Sequence, residues 1–64
     1  MSWKRVDNRE AWAFGTAKVV LAIIEEQTGV LIQFNDGTAV RVEAAASAAG
    51  EIYFEWSTTE SLER

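Results

Sequence analysis

Cysteine, histidine and proline are absent from these 64 residues, and glycine occurs four times. There is accordingly no thiolate or imidazole nucleophile, no Ser-His-Asp relay, no structural zinc site and no histidine general base. Carboxylate chemistry is left, because ten Asp and Glu are present. A glycosidase or metal-dependent hydrolase also needs a substrate cleft, which so short a chain rarely builds alone, so no enzyme and no cofactor are expected. Glu25, Glu26 and Asp36 lie near opposite ends of one strand, whereas a calcium loop needs more oxygens at closer spacing. Long apolar runs are missing too: Val19 to Ile24 has six residues against about 20 for a membrane helix. Lys4 and Arg5 are not followed by the apolar stretch of a signal peptide. The expectation is a cytoplasmic protein with no membrane attachment.

What is present is a 48% apolar chain with three tryptophans, enough for one core and hence a single small domain over 1–64. That length is below the range in which one core is comfortably stable without disulfides or metal, which makes self-association an expectation. Charge is uneven. Residues 1–18 carry Lys4, Arg5, Arg9 and Lys18 against Asp7 and Glu10, a net +2, while the remainder carries −6 within the total of −4. A field of that sign disfavours attachment to phosphate backbones, so direct nucleic-acid binding is not expected.

The clearest local signal is Val30-Leu-Ile-Gln-Phe-Asn-Asp-Gly-Thr-Ala-Val-Arg-Val42, two β-rich runs around an Asn-Asp-Gly turn. A two-residue loop at Asp36-Gly37 would pair Ile32 with Arg41 and Val30 with Glu43, mixing apolar and charged side chains. A three-residue loop with Gly37 left-handed in a G1 bulge pairs Phe34 with Thr38, Ile32 with Val40 and Val30 with Val42, which makes one face apolar. That register is preferred. Ala17 to Glu26 is rich in β-branched residues and reads as a strand turning back at Gln27-Thr28-Gly29. Simple alternation points Val19, Leu21 and Ile23 one way and Val20, Ala22 and Ile24 the other, so both faces need cover. Its register with the next strand pairs Ile24 with either Leu31 or Ile32. The competing arrangement is α+β, with a helix at about 8–27 packed on a three-stranded antiparallel sheet.

Glu51 to Trp56 alternates, placing Ile52, Phe54 and Trp56 on one face and Glu51, Tyr53 and Glu55 on the other. Ala44 to Gly50 is either an irregular connection or one to two turns of helix stopped by Gly50. Asp7-Asn-Arg-Glu10 and Ser57-Thr-Thr-Glu60 each carry a capping residue three positions before a glutamate, a helix-start signature. The predicted fold is therefore mainly β: a small antiparallel sheet of about four strands, a meander with short terminal helices. In size, and in the 13 residues of the Val30–Val42 hairpin, it resembles SH3-like and Tudor-like barrels. The resemblance carries over no ligand and no binding residue.

Two groups are candidate partner-binding residues. Trp3, Trp12 and Phe14 lie among basic residues, the mixture that stacks bases or grips an acidic partner; structural cover for an apolar sheet face is the stronger reading. Glu43, Glu51 and Glu55 with Tyr53 could form an acidic stripe that mimics phosphates, set against plain solvation of a small domain. Arg41 points away from the valine face, covers Leu31 with its stem or pairs with a glutamate, and is the last candidate for a protein contact. The expected function is a small non-enzymatic protein-interaction module that binds a partner protein or its own copies, with a homodimer favoured. The alternative is an acidic inhibitor of a nucleic-acid-processing enzyme, of the type phages and mobile elements carry.

Overall fold

A computed structural model describes residues 2–59. The elements run β1 (Trp3–Val6), α1 (Asn8–Gly15), β2 (Val20–Glu25), β3 (Gly29–Phe34), β4 (Ala39–Ala46) and β5 (Ile52–Thr59). All five strands form one antiparallel sheet in the order β1-β5-β4-β3-β2. The architecture is mainly β with one short helix, and differs from the expected four strands with helices at both ends.

The helix starts where the capping signature places it. The Asp7 carboxylate accepts a hydrogen bond from the Glu10 backbone N–H at 2.7 Å, satisfying one of the donors a helix leaves free at its N-terminus. At the other end Gly15 sits against the Phe34 ring, where an added Cβ would lie 3.2 Å from Cζ. Two residues later Ala17 takes φ +67°, a left-handed conformation uncommon for a residue with a Cβ, and the chain turns into β2. The competing helix over about 8–27 is thus corrected: α1 ends at Gly15, and Val20–Glu25 is extended. β-branched Val20, Ile23 and Ile24 pack well on a pleated surface and poorly against a helical turn.

The β3–β4 hairpin follows the preferred register, with Ile32 opposite Val40 and Val30 opposite Val42. Gly37 has φ +89°, and the Phe34 N–H donates to the Thr38 carbonyl at 2.9 Å. Between β2 and β3 the pairs are Ile23 with Ile32 and Ile24 with Leu31, and a bulge falls between Val20 and Ala22. The bulge corrects the simple alternation. Val20 and Ile23 share one face, opposite Phe34 and Ile32, while Ala22 and Ile24 lie on the other, opposite Gln33 and Leu31.

Two further expectations are corrected. Ser57-Thr58-Thr59 does not begin a helix but pairs with Arg5, Lys4 and Trp3, adding β1 as a fifth strand; Glu60, the last residue of that signature, lies outside the described residues. Ala44–Ala46 is not helical either: it pairs with Phe54, Tyr53 and Ile52, because cross-strand hydrogen bonding outweighs alanine's few tenths of a kcal/mol of helical preference. The connection shrinks to a tight turn with Gly50 at φ +88°, closed by the Ser47 N–H donating to the Glu51 carbonyl at 2.8 Å.

The core is small. Ala11 from α1 meets buried Phe34 and Val40, with Val6, Phe14, Ile32, Val42 and Trp56 packed around them. Among the described residues four hydrophobic side chains are buried, whereas ten large ones are exposed.

Candidate functional site

Cross-strand partners in an antiparallel sheet share a face and alternate residues change face, so the register sorts the exposed side chains. One face carries α1 and shows Val20, Ile23, Val30, Ile32, Phe34, Val40, Val42, Ala44, Ala46, Ile52, Phe54 and Trp56. Between Lys4 at one edge and Glu25 at the other, this sheet face has no charged residue among the described residues. The opposite face holds Arg5, Arg41, Glu43 and Glu55. The two faces therefore offer different chemistry.

On the first face α1 is too short to cover the sheet. Eight residues span about 12 Å, enough to shield Phe34 and Val40. Beside the helix an open groove of about 440 Å³ remains, walled by Trp12 and Thr16 and floored by Val20, Ile32, Val42 and Trp56. Its one side-chain hydroxyl with hydrogen-bonding capacity, that of Thr16, donates to the Trp12 carbonyl at 2.9 Å. The groove is thus built for an apolar occupant. Trp12 and Val20 of its lining are 71% and 50% exposed, and Ile23, opposite Ile32 on the same face, is 67% exposed.

The same face continues onto an arm. β4 and β5 stay paired through Ala44–Phe54, Ala45–Tyr53 and Ala46–Ile52, whereas β3 reaches only Glu43 and β1 only Trp56. The overhang is two strands wide, a width that is marginal in water without further cover. Ile52 and Phe54 project from its groove side, 69% and 62% exposed, each opposite a single alanine methyl.

The charged face is organised by ion pairs. Arg41 makes a fork to Glu26, Nε to Oε1 at 3.1 Å and an Nη to Oε2 at 3.3 Å, and its guanidinium lies 4.4 Å from the Trp3 ring. Glu43 and Glu55 stand directly opposite one another, an unfavourable like-charge pair eased by Arg5, whose guanidinium is 3.3 Å from Glu55. Tyr53 is on the same face, its hydroxyl 3.5 Å from Glu55. At the β3–β4 turn, Lys18 Nζ donates to Asp36 Oδ2 at 2.7 Å and to Thr38 Oγ1 at 3.0 Å. The Lys18 ammonium, with the Thr38 hydroxyl and backbone N–H, holds the Asp36 carboxyl well below the usual carboxylate range.

The residues singled out from sequence are placed in three locations. Trp3 and Arg41 come together on the charged face, and Glu43, Glu55 and Tyr53 cluster beside them; Glu51 precedes β5 at the turn. Trp12 walls the apolar groove. Phe14 turns inward onto Phe34, with ring centroids 6.4 Å apart, and lies 4.3 Å beneath Lys18 Nζ. The aromatic-plus-basic N-terminal group is thus dispersed over both faces. The doubly apolar Ala17–Glu26 segment already called for cover beyond its own sheet, and Val20 and Ile23 within it are exposed; sequence reasoning missed Ile52 and Phe54 as surface residues, because their apolar spacing reads as core until the overhang is known. No protein family, curated protein or solved structure matches this chain.

Proposed function

We propose that this chain is a small non-enzymatic protein-interaction module whose helix-bearing face docks another polypeptide. The observation that carries the reading is the uncharged apolar groove with exposed Trp12 and Val20 in its lining and exposed Ile23 on the same sheet face, opposite the groove residue Ile32. Folded monomers rarely leave apolar patches larger than a few hundred Å² in water, and burying such surface is the main driving force of association. A cytoplasmic setting belongs to the same proposal. The hairpin's likeness to SH3-like barrels supplies no ligand, and the reading does not depend on it. Affinity capture from a cell extract with the wild-type chain and with Ile23→Asp, followed by intact-mass measurement, is the test. A protein held by the first and lost by the second is expected; equal retention by both contradicts the proposal.

A second reading, an acidic inhibitor of a nucleic-acid-processing enzyme, is favoured by one observation. Glu43 and Glu55 face each other at a cost in stability, and a basic partner would offset it. Replacing Glu43, Glu51 and Glu55 together by glutamine is expected to abolish such inhibition and its salt sensitivity. Unchanged potency in that variant excludes phosphate mimicry.

A further inference from the structure

Taking the helix-bearing face as a protein-docking surface, we infer that its occupant is a second copy of this chain, each copy laying Ile52 and Phe54 of its β4–β5 arm in the groove beside α1 of the other. One chain supplies both halves of this contact. The arm presents two large apolar side chains with alanines opposite them and no third strand among the described residues. The groove presents a largely apolar hollow whose Thr16 hydroxyl is already spent on the Trp12 carbonyl. Both lie on one face of one sheet, so a single two-fold rotation brings arm to groove twice, the self-complementary arrangement of a closed dimer.

Area supports this occupant, and charge does not bar it. Two copies of a chain of charge −4 repel at long range, a repulsion that salt screens, and the described sheet face between Lys4 and Glu25 adds no like-charge contact to it. Trp12, Val20, Ile23, Ile52 and Phe54 each expose half or more of their surface. At ordinary side-chain areas these five amount to roughly 600 Å² per copy. Complete cover of these side chains in a pair of copies would remove roughly 1,200 Å² from water, above the ~1,000 Å² expected of a specific interface.

The test uses the full chain in size-exclusion chromatography with light scattering. At roughly 100 µM, two decades above a micromolar Kd, the wild type is expected at twice the 7.1 kDa chain mass. Phe54→Asp on the arm and Val20→Arg in the groove are each expected to run as monomers with unchanged circular dichroism. Tyr53→Asp, on the other face of the same arm, is expected to stay dimeric. Mixing the two monomeric variants is expected to restore the dimer, because one arm–groove contact is intact and the other sets a new carboxylate against a new guanidinium. A monomeric wild type, a dimer indifferent to both changes, or a mixture that stays monomeric overturns the inference. A monomeric wild type that still retains a different protein from an extract, and loses it on Val20→Arg, removes the second copy but leaves the docking reading standing; retention of nothing removes the docking reading as well.

Discussion

Phe54 stands opposite Ala44 on the arm, a phenyl ring beside one methyl, with 62% of its surface exposed. Two residues further along, Trp56 faces Val42 and packs against the core. The same strand and the same face thus hold one ring that supports the fold and one that does not. In dilute protein Phe54→Thr is expected to leave the unfolding free energy measured in urea within about 0.5 kcal/mol of wild type, while Trp56→Ala costs about 3 kcal/mol. Equal losses would mean that the arm is part of the fold's own core.

Gly29 and Gly37 are needed for different reasons. A Cβ on Gly29 would lie 2.0 Å from the Val42 carbonyl oxygen and 2.9 Å from the Glu43 Cα, so the β3 and β4 backbones would have to separate. Gly29→Ala is expected to cost at least ~2 kcal/mol. Gly37 has open space around it but sits at φ +89°, and Gly37→Ala is expected to cost about 1 kcal/mol. Chemical denaturation of the two variants ranks them; a larger loss at Gly37 would contradict the strand spacing.

Asp36 ties stability to acid. Its carboxyl is lowered by Lys18 and Thr38, so its contribution is complete above the ordinary unfolded value of about 3.9 and fades as pH falls below it toward the folded value. Asp36→Asn is expected to lower the melting temperature at pH 7, with the gap to wild type narrowing as the pH falls toward about 2. A gap independent of pH would show that the Lys18 contact does not persist in solution.

Arg41 serves Glu26 and Trp3 at once, as a two-bond fork and as a cation over a ring. Lysine keeps the charge but not the planar fork. With both side chains of the ion pair 29% exposed, solvent screening holds the loss on Arg41→Lys to about 1 kcal/mol. Pairing it with Glu26→Gln in a double-mutant cycle should show a coupling of about 0.5 kcal/mol; strict additivity would mean that the fork is not formed.

Much of the sheet was legible in sequence because its signals are local. The Asn35-Asp36-Gly37 turn determines its own register, and Asp7 with Glu10 marks the helix start. The missed features depend on distant partners. Trp3–Val6 becomes a strand only because Trp56–Thr59 lies beside it, and Ala44–Ala46 stays extended only because Ile52–Phe54 pairs with it. The bulge between Val20 and Ala22 changes which side chains share a face, and no Gly marks it in sequence. The candidate site was less legible than the fold. The two apolar faces of Ala17–Glu26 announced a need for outside cover, but Ile52 and Phe54 have the spacing of core residues, and only the overhang of β4 and β5 shows that their own chain leaves them uncovered.

The absence of cysteine allows a direct measurement. Phe54→Cys and Val20→Cys chains, prepared separately, mixed in equal amounts and oxidised mildly, can be resolved by intact mass. With each arm in its neighbour's groove, the mixed disulfide between position 54 of one chain and position 20 of the other forms in excess of its statistical share. Dimers linked only between like positions, or no disulfide beyond that of the unfolded chains, would contradict the arrangement.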